Sequence, residues 1–263
     1  MDGMDCRLIA LFRGWSEGCC HRGFHDLARP ENSLPAFEHA IENGLPFEFD
    51  VHLAKDGKLV VAHDSDLLRT TGKEGIIEEL AGDYIQANYR YFDGSYPPFF
   101  EEVAAINHGR VPMVVELKTY PGIAKRLVDV ALPYLEALPH KENVVVISFD
   151  AEILRELRAR GCTLPLGWLH TLKTIKGLSV EDLEEFDFLD VESRSLFLHP
   201  KFRKYRRRGH PILAWTIHDR LTYFCAHRLA HGLTWEVVDS RKPPEKANRF
   251  IYRRFAPDSS EGK

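Results

Sequence analysis

Thirteen residues near the start, HRGFHDLARPENS at 21–33, hold two histidines, two arginines, two carboxylates and an asparagine. Carboxylates recur at the ends of apolar runs, in PFEFD at 46–50, VVAHD at 60–64 and PMVVELK at 112–118. Side chains alternate along a strand, so Glu48 and Asp50 share a face, and Glu116 and Lys118 repeat that spacing. Three acids at one place repel one another unless a positive charge sits among them. A hard divalent cation with oxygen ligands, Mg²⁺ or Ca²⁺, answers that need and can hold a phosphate oxygen. His21 and His63 are then suited to proton transfer on either side of a reacting centre, and Arg22 and Lys118 to an anionic substrate. Ser148, Glu192, Trp215 and Asp239 also end apolar runs. Trp215 at a strand end could stack on a sugar, glycerol or choline-like group.

Several residues have plainer readings. Glu31 and Asn32 are expected to cap a helix starting near Ser33, because asparagine is a good cap and acids suit a helix N-terminus. Glu192 is assigned to local hydrogen bonding. His25, His52, His108, His170, His218 and His231 are assigned structural or solvent-exposed places.

The elements that must position these groups follow from the apolar pattern. Nine β-prone runs are predicted at 18–22, 46–53, 58–63, 111–118, 143–149, 164–170, 186–192, 211–217 and 234–239, with amphipathic stretches between most of them. Asp56-Gly57 is a tight-turn signal, so the second and third runs form one hairpin that brings Glu48 and Asp50 near His63. The remaining eight strands predict an α/β fold, a (βα)8 barrel of the usual size of about 250 residues, whose functional residues gather at the C-terminal ends of the strands. The chain, 263 residues, is expected to be a single domain, with a small insertion at about 65–110. Tyr96, Phe99 and Phe100 in that insertion are expected to pack as a cap.

Composition excludes other classes. With 44% hydrophobic and 28% charged residues, large-scale disorder is not expected, and a net charge of −4 gives no global field for nucleic acid. The basic runs at 201–208 and 241–254 read as a solvated helix face and a surface tail. Five cysteines at irregular spacing, without a CxxC, point to a reducing compartment. The apolar run at 8–12 is too short for a membrane span. A soluble cytoplasmic protein is the expectation.

Taken in order, HRG…PENS…AF…G…EFDV…KDG…VVAHD…LLRTTG…VELK…SF…AWTIHD…VVDSRKP resembles the glycerophosphodiester phosphodiesterase family, from Cys20 to about Pro243 and most densely over 21–73. The resemblance implies a TIM barrel with an insertion after the hairpin. It implies that His21 and His63 are the catalytic pair, that Glu48, Asp50 and Glu116 bind a divalent metal, that Arg22 and Lys118 contact phosphate, and that Trp215 lines the substrate site. The implied reaction is hydrolysis of glycerophosphodiesters such as glycerophosphocholine to glycerol 3-phosphate and an alcohol; the residues themselves fit in-line displacement at phosphorus by the substrate's own 2-hydroxyl or by water. Two alternatives accompany it: a lysophospholipase D or sphingomyelinase D-like activity on lipid, with Tyr96, Phe99 and Phe100 forming an apolar groove, and a barrel that binds a phosphorylated ligand without catalysis. The sequence departs from the family pattern in GWSEGCC before the first histidine, and at His52 and His218.

Overall fold

The computed structural model describes residues 3–15, 17–239 and 248–255. Among the described residues, nine strands form one sheet: β1 (Cys19–Cys20), β2 (Phe47–Leu53), β3 (Leu59–Val61), β4 (Met113–Leu117), β5 (Val144–Ser148), β6 (Leu166–His170), β7 (Phe188–Glu192), β8 (Ile212–Ile217) and β9 (Gly232–Trp235). Eight of them pair in parallel around a closed ring, with β1 hydrogen-bonded to both β2 and β9. β3 stands outside the ring, antiparallel to β2, with Val51 opposite Val61 and Leu53 opposite Leu59. Gly57 closes that hairpin at φ +92°, donating to Ala54 at 3.0 Å. The expected barrel and hairpin are therefore what forms.

The helices are α1 (Gly3–Gly14), α2 (Leu34–Glu42), α3 (Leu68–Thr71), α4 (Gly82–Asn88), α5 (Phe100–Asn107), α6 (Ala124–Glu136), α7 (Ala151–Ala159), α8 (Ser193–Leu198), α9 (Pro200–Arg207), α10 (Arg220–Ala226) and α11 (Arg249–Phe255). None is long and apolar enough to cross a membrane. The outer faces of the strands pack on this shell through Phe47, Phe49, Val51, Met113, Val115 and their neighbours. Alternation sends the other side chains inward. Val114, Val145, Phe188 and Leu213 make an apolar floor inside the ring, sealed from below by Leu8, Phe12 and Trp15 of α1 and the turn after it. Phe12 meets Phe188 edge-on with ring centroids 5.2 Å apart. The run at 8–12 is thus half of a plug. Continuing two residues along the same strands, the floor gives way to Glu116, Asp190 and Trp215, so a single period of two sets both the core and the polar mouth.

The insertion wraps the hairpin. Leu67, Ile77, Ile85, Tyr89 and Phe99 pack on Val60 and Ala62 of β3 and its extension. Phe99 and Phe100 are both buried, and Tyr96 donates to Glu102 at 3.0 Å. The apolar groove considered for these aromatics is therefore absent, because the same rings serve the core. Of the second basic run only residues 248–254 are described. In the first, Phe202 and Tyr205 are buried and Arg208 pairs with Glu181 at 2.6 Å and Glu184 at 2.7 Å, in keeping with a solvated helix face.

Candidate active site

The polar mouth is built from strand ends and the turns just beyond them. β1 ends at Cys20, and the chain then turns sharply through Arg22 at φ +55° and Gly23 at φ +81°. A side chain at Gly23 would place its Cβ 2.9 Å from the Phe37 ring and 3.0 Å from Ala36, so glycine is required there. The turn aims the Arg22 amide at Glu48, which accepts from it at 2.9 Å. Register sets Asp50 beside Glu116 across β2 and β4. Carboxylate oxygens of Glu48, Asp50 and Glu116 all lie within 4.8 Å of one another, and all three residues are buried.

Burial and the neighbouring acids push the Glu48 carboxyl well above its usual range, and burial raises Glu116 too. Burial would also raise Asp50, but Lys118, His63 and Arg22 hold it well below. Lys118 Nζ lies 3.1 Å from Asp50 and 2.9 Å from Glu116. Arg22 pairs with Glu31 at 2.8 Å and approaches Asp50 at 3.6 Å. Both cations expected to contact an anion thus stand at the edge of the acidic cluster. Three buried oxygen donors that hold their charge only with help are the donor set a hard divalent cation prefers.

The two histidines line the same cleft, of about 200 Å³, with Arg22, Glu192, Trp215 and Glu236. An inner recess of about 60 Å³ leads from them to Glu48, Glu116 and Asp190. Each histidine has a carboxylate on Nδ1: His21 meets Glu236 at 2.9 Å and His63 meets Asp64 at 2.6 Å. Burial and the Arg22 charge lower His21 to about 4, outweighing Glu236, so the ring is neutral near pH 7. Glu236 itself is held well below its usual range; burial would raise it, but the hydrogen bond from His21 and the His25 ring 3.7 Å away prevail. Asp64 is held low in the same way by His63 and Arg69. Trp215 stands half-buried against Phe149, with centroids 5.8 Å apart, and lines the cleft.

The structure thus brings together His21, His63, Glu48, Asp50, Glu116, Arg22, Lys118 and Trp215. It also adds residues with plainer readings. Ser33, not Asn32, caps α2, accepting from Ala36 at 3.3 Å. Asn32 instead donates to Asp50 at 2.8 Å, and Glu31 accepts from both Arg22 and Arg69. The capping reading failed because one serine suffices for the cap and frees its neighbours. His218, assigned a structural or exposed place, lines the cleft. Glu192 accepts from Ser195, as its local assignment requires, while also lining the cleft. Ser148 is a buried brace, donating to the Leu117 carbonyl at 2.8 Å.

Glu236 and Asp190 were not anticipated. β9 ends at Trp235, so the acid facing the cleft is Glu236, three residues before Asp239. The signal was present: Glu236 follows its strand as directly as His21 follows β1. Asp190 lies two residues before Glu192 on the inward face, and burial pushes its carboxyl well up.

A model of the glycerophosphoryl diester phosphodiesterase family matches residues 21–240. A glycerophosphodiester phosphodiesterase of Bacillus altitudinis is 34% identical over 147 residues, covering 49% of this chain and 56% of the relative. One from Caldanaerobacter subterraneus is 33% identical over 153 residues, covering 54% and 61%. The matched stretches therefore span somewhat more than half of those two proteins. In fold, the chain is similar to an Oleispira antarctica phosphodiesterase solved in complex with the product sn-glycerol-3-phosphate, with a TM-score of 0.74 at 22% identity over 83% of this chain and 91% of that one. The family match runs from the first histidine of the mouth past the last barrel strand, and the chain belongs to the glycerophosphoryl diester phosphodiesterase family.

Proposed function

We propose that this protein hydrolyses small glycerophosphodiesters to glycerol 3-phosphate and an alcohol, at the cleft between His21 and His63. One observation carries the reading: two histidines, each anchored through Nδ1 on a carboxylate, face one cleft beside a buried three-carboxylate cluster. The product held by the Oleispira antarctica protein is the product this reaction would release.

Glu48, Asp50 and Glu116 would hold a divalent cation, Mg²⁺ or Ca²⁺, which when bound supplies positive charge to a phosphate oxygen. Arg22 and Lys118 stand at the cluster's edge, placed to take the remaining anionic oxygens. With Nδ1–H donated to Glu236, His21 keeps Nε2 as a free acceptor. Its neutrality suits it to take the proton from the attacking hydroxyl, either the substrate's own 2-hydroxyl or water. His63, backed by Asp64, then protonates the leaving alkoxide. Should the 2-hydroxyl attack, a cyclic phosphate forms, and water opens it with the two histidines exchanging roles. Trp215 offers an apolar wall for the glycerol or headgroup carbons.

The test is glycerol 3-phosphate release from glycerophosphocholine with Mg²⁺, with Ca²⁺ and with EDTA. Metal-dependent release that EDTA abolishes is expected; no release with either ion would overturn the assignment of substrate.

A further inference from the structure

The mouth of the barrel is flanked on one side by an apolar surface. Among the described residues, five large apolar side chains gather on the segments following β6, β7 and β8: Leu172, Phe197, Leu198, Leu221 and Phe224, exposed between 38% and 61%. The segments that carry them are tied together. The Leu172 amide donates to Ser195 Oγ at 2.9 Å, tying the β6 loop to α8. α8 packs on α10, where the Phe197 and Phe224 rings lie 6.0 Å apart. Leu221 is three residues before Phe224 and shares its helix face. The patch adjoins the cleft, since Ser193 and Arg194 at the start of α8 and Thr222 of α10 line it.

The same segments are rich in cations. Segments 171–178, 193–199 and 218–228 carry Lys173, Lys176, Arg194, Arg220 and Arg228 against the single carboxylate Asp219, in a chain whose net charge is −4. All five cations are exposed. Asp219 is turned to its own helix, accepting from the Thr222 amide at 2.7 Å.

We infer that this face docks on a bilayer carrying anionic headgroups, with the apolar side chains entering the interface and the cations resting on the phosphates. Monomeric proteins seldom leave contiguous apolar area of this kind without a partner. Apolar residues ringed by lysine and arginine are the combination that binds anionic membranes, each cation adding to the attraction. A second copy is the poorer occupant: a two-fold interface would set the same five cations against themselves. Docking would hold the cleft open toward the lipid surface, where a phosphodiester presented by that surface could reach it.

The test is co-sedimentation of the full chain with phosphatidylcholine vesicles, with and without about 30% phosphatidylserine, at low and high salt. Glycerophosphocholine hydrolysis in solution is measured in parallel. Binding should require phosphatidylserine and fall with salt. The double variant Leu221→Ser/Phe224→Ser should lose at least about tenfold in binding while keeping its turnover in solution. Absence of binding by the wild type, equal binding to phosphatidylcholine alone, or undiminished binding by the double variant would overturn the inference. So would a concentration-dependent dimer dispersed by the same substitutions, which would assign the face to self-association. Because binding is read without turnover, failure of the hydrolytic reading and failure of docking are separate results.

Discussion

His21 and Glu236 show how one hydrogen bond can decide what a side chain is able to do. A neutral imidazole donates from one nitrogen and accepts at the other, and the carboxylate on Nδ1 fixes which. Glu236→Gln would let an amide donate to Nδ1 instead, placing the proton on Nε2, where the proposed base role needs an acceptor. The expected loss in kcat is on the order of 10²-fold, the lower end of a general base's contribution, with KM little changed. Measuring kcat and KM separately checks this; unchanged kcat would remove Glu236 from the positioning of His21. At this scale the sequence was most legible where a residue's type and its place at a strand end agreed, as for His21, Glu48, Asp50 and Glu116. Glu31 and Asn32 were hidden because two roles compete for the same residue types ahead of a helix. Glu236 was hidden by strand length: extending β9 to Asp239 put the wrong acid at the mouth.

Among the elements, the hairpin is the most consequential, because it carries His63 to β2 and ties both to the insertion. His52 on β2 makes the tie. Its Nε2 lies 3.1 Å from the His63 carbonyl, and its Nδ1 lies 2.7 Å from Glu78 in the insertion. His52→Ala should cost about 1–3 kcal/mol of stability for the lost buried hydrogen bonds. It should also lower kcat, by up to about 10²-fold, through displacement of His63. His52→Gln, whose amide can still donate to the His63 carbonyl, should recover much of both; urea unfolding and steady-state kinetics read the two effects. Asp56-Gly57 made this hairpin legible. Two helices were less so. α1 offers only an apolar run whose partners, the inward faces of six strands, lie mostly far from it in sequence. α8 begins directly at the end of β7 with no linker to mark it.

For the whole molecule, acid sensitivity follows from buried histidines. His170 is fully buried at the end of β6, and burial lowers it to about 4. An unfolded histidine titrates near 6.5, so below that pH the unfolded chain binds the proton that the folded chain refuses. Stability therefore falls as pH drops from about 6.5 toward 4, and His170 alone accounts for about 2 kcal/mol between pH 7 and 5. His231 is lowered in the same direction. Urea unfolding at the two pH values should show a smaller drop for His170→Gln than for the wild type; an equal drop would contradict the assignment. The closed barrel itself was legible because nine strands, less one spent on a hairpin, leave the eight that a ring needs. The apolar patch on α8 and α10 was not, since single exposed leucines and phenylalanines gain meaning only when folding gathers them.

The proposed function requires that His21 and His63 act together on a phosphodiester at one cleft. The most direct measurement is glycerol 3-phosphate release from glycerophosphocholine, in the presence of Mg²⁺ or Ca²⁺, by the wild type beside His21→Ala and His63→Ala. Metal-dependent release by the wild type and a fall of roughly 10²–10⁴-fold in each variant are expected. Release at near-normal rate by either variant would contradict that requirement.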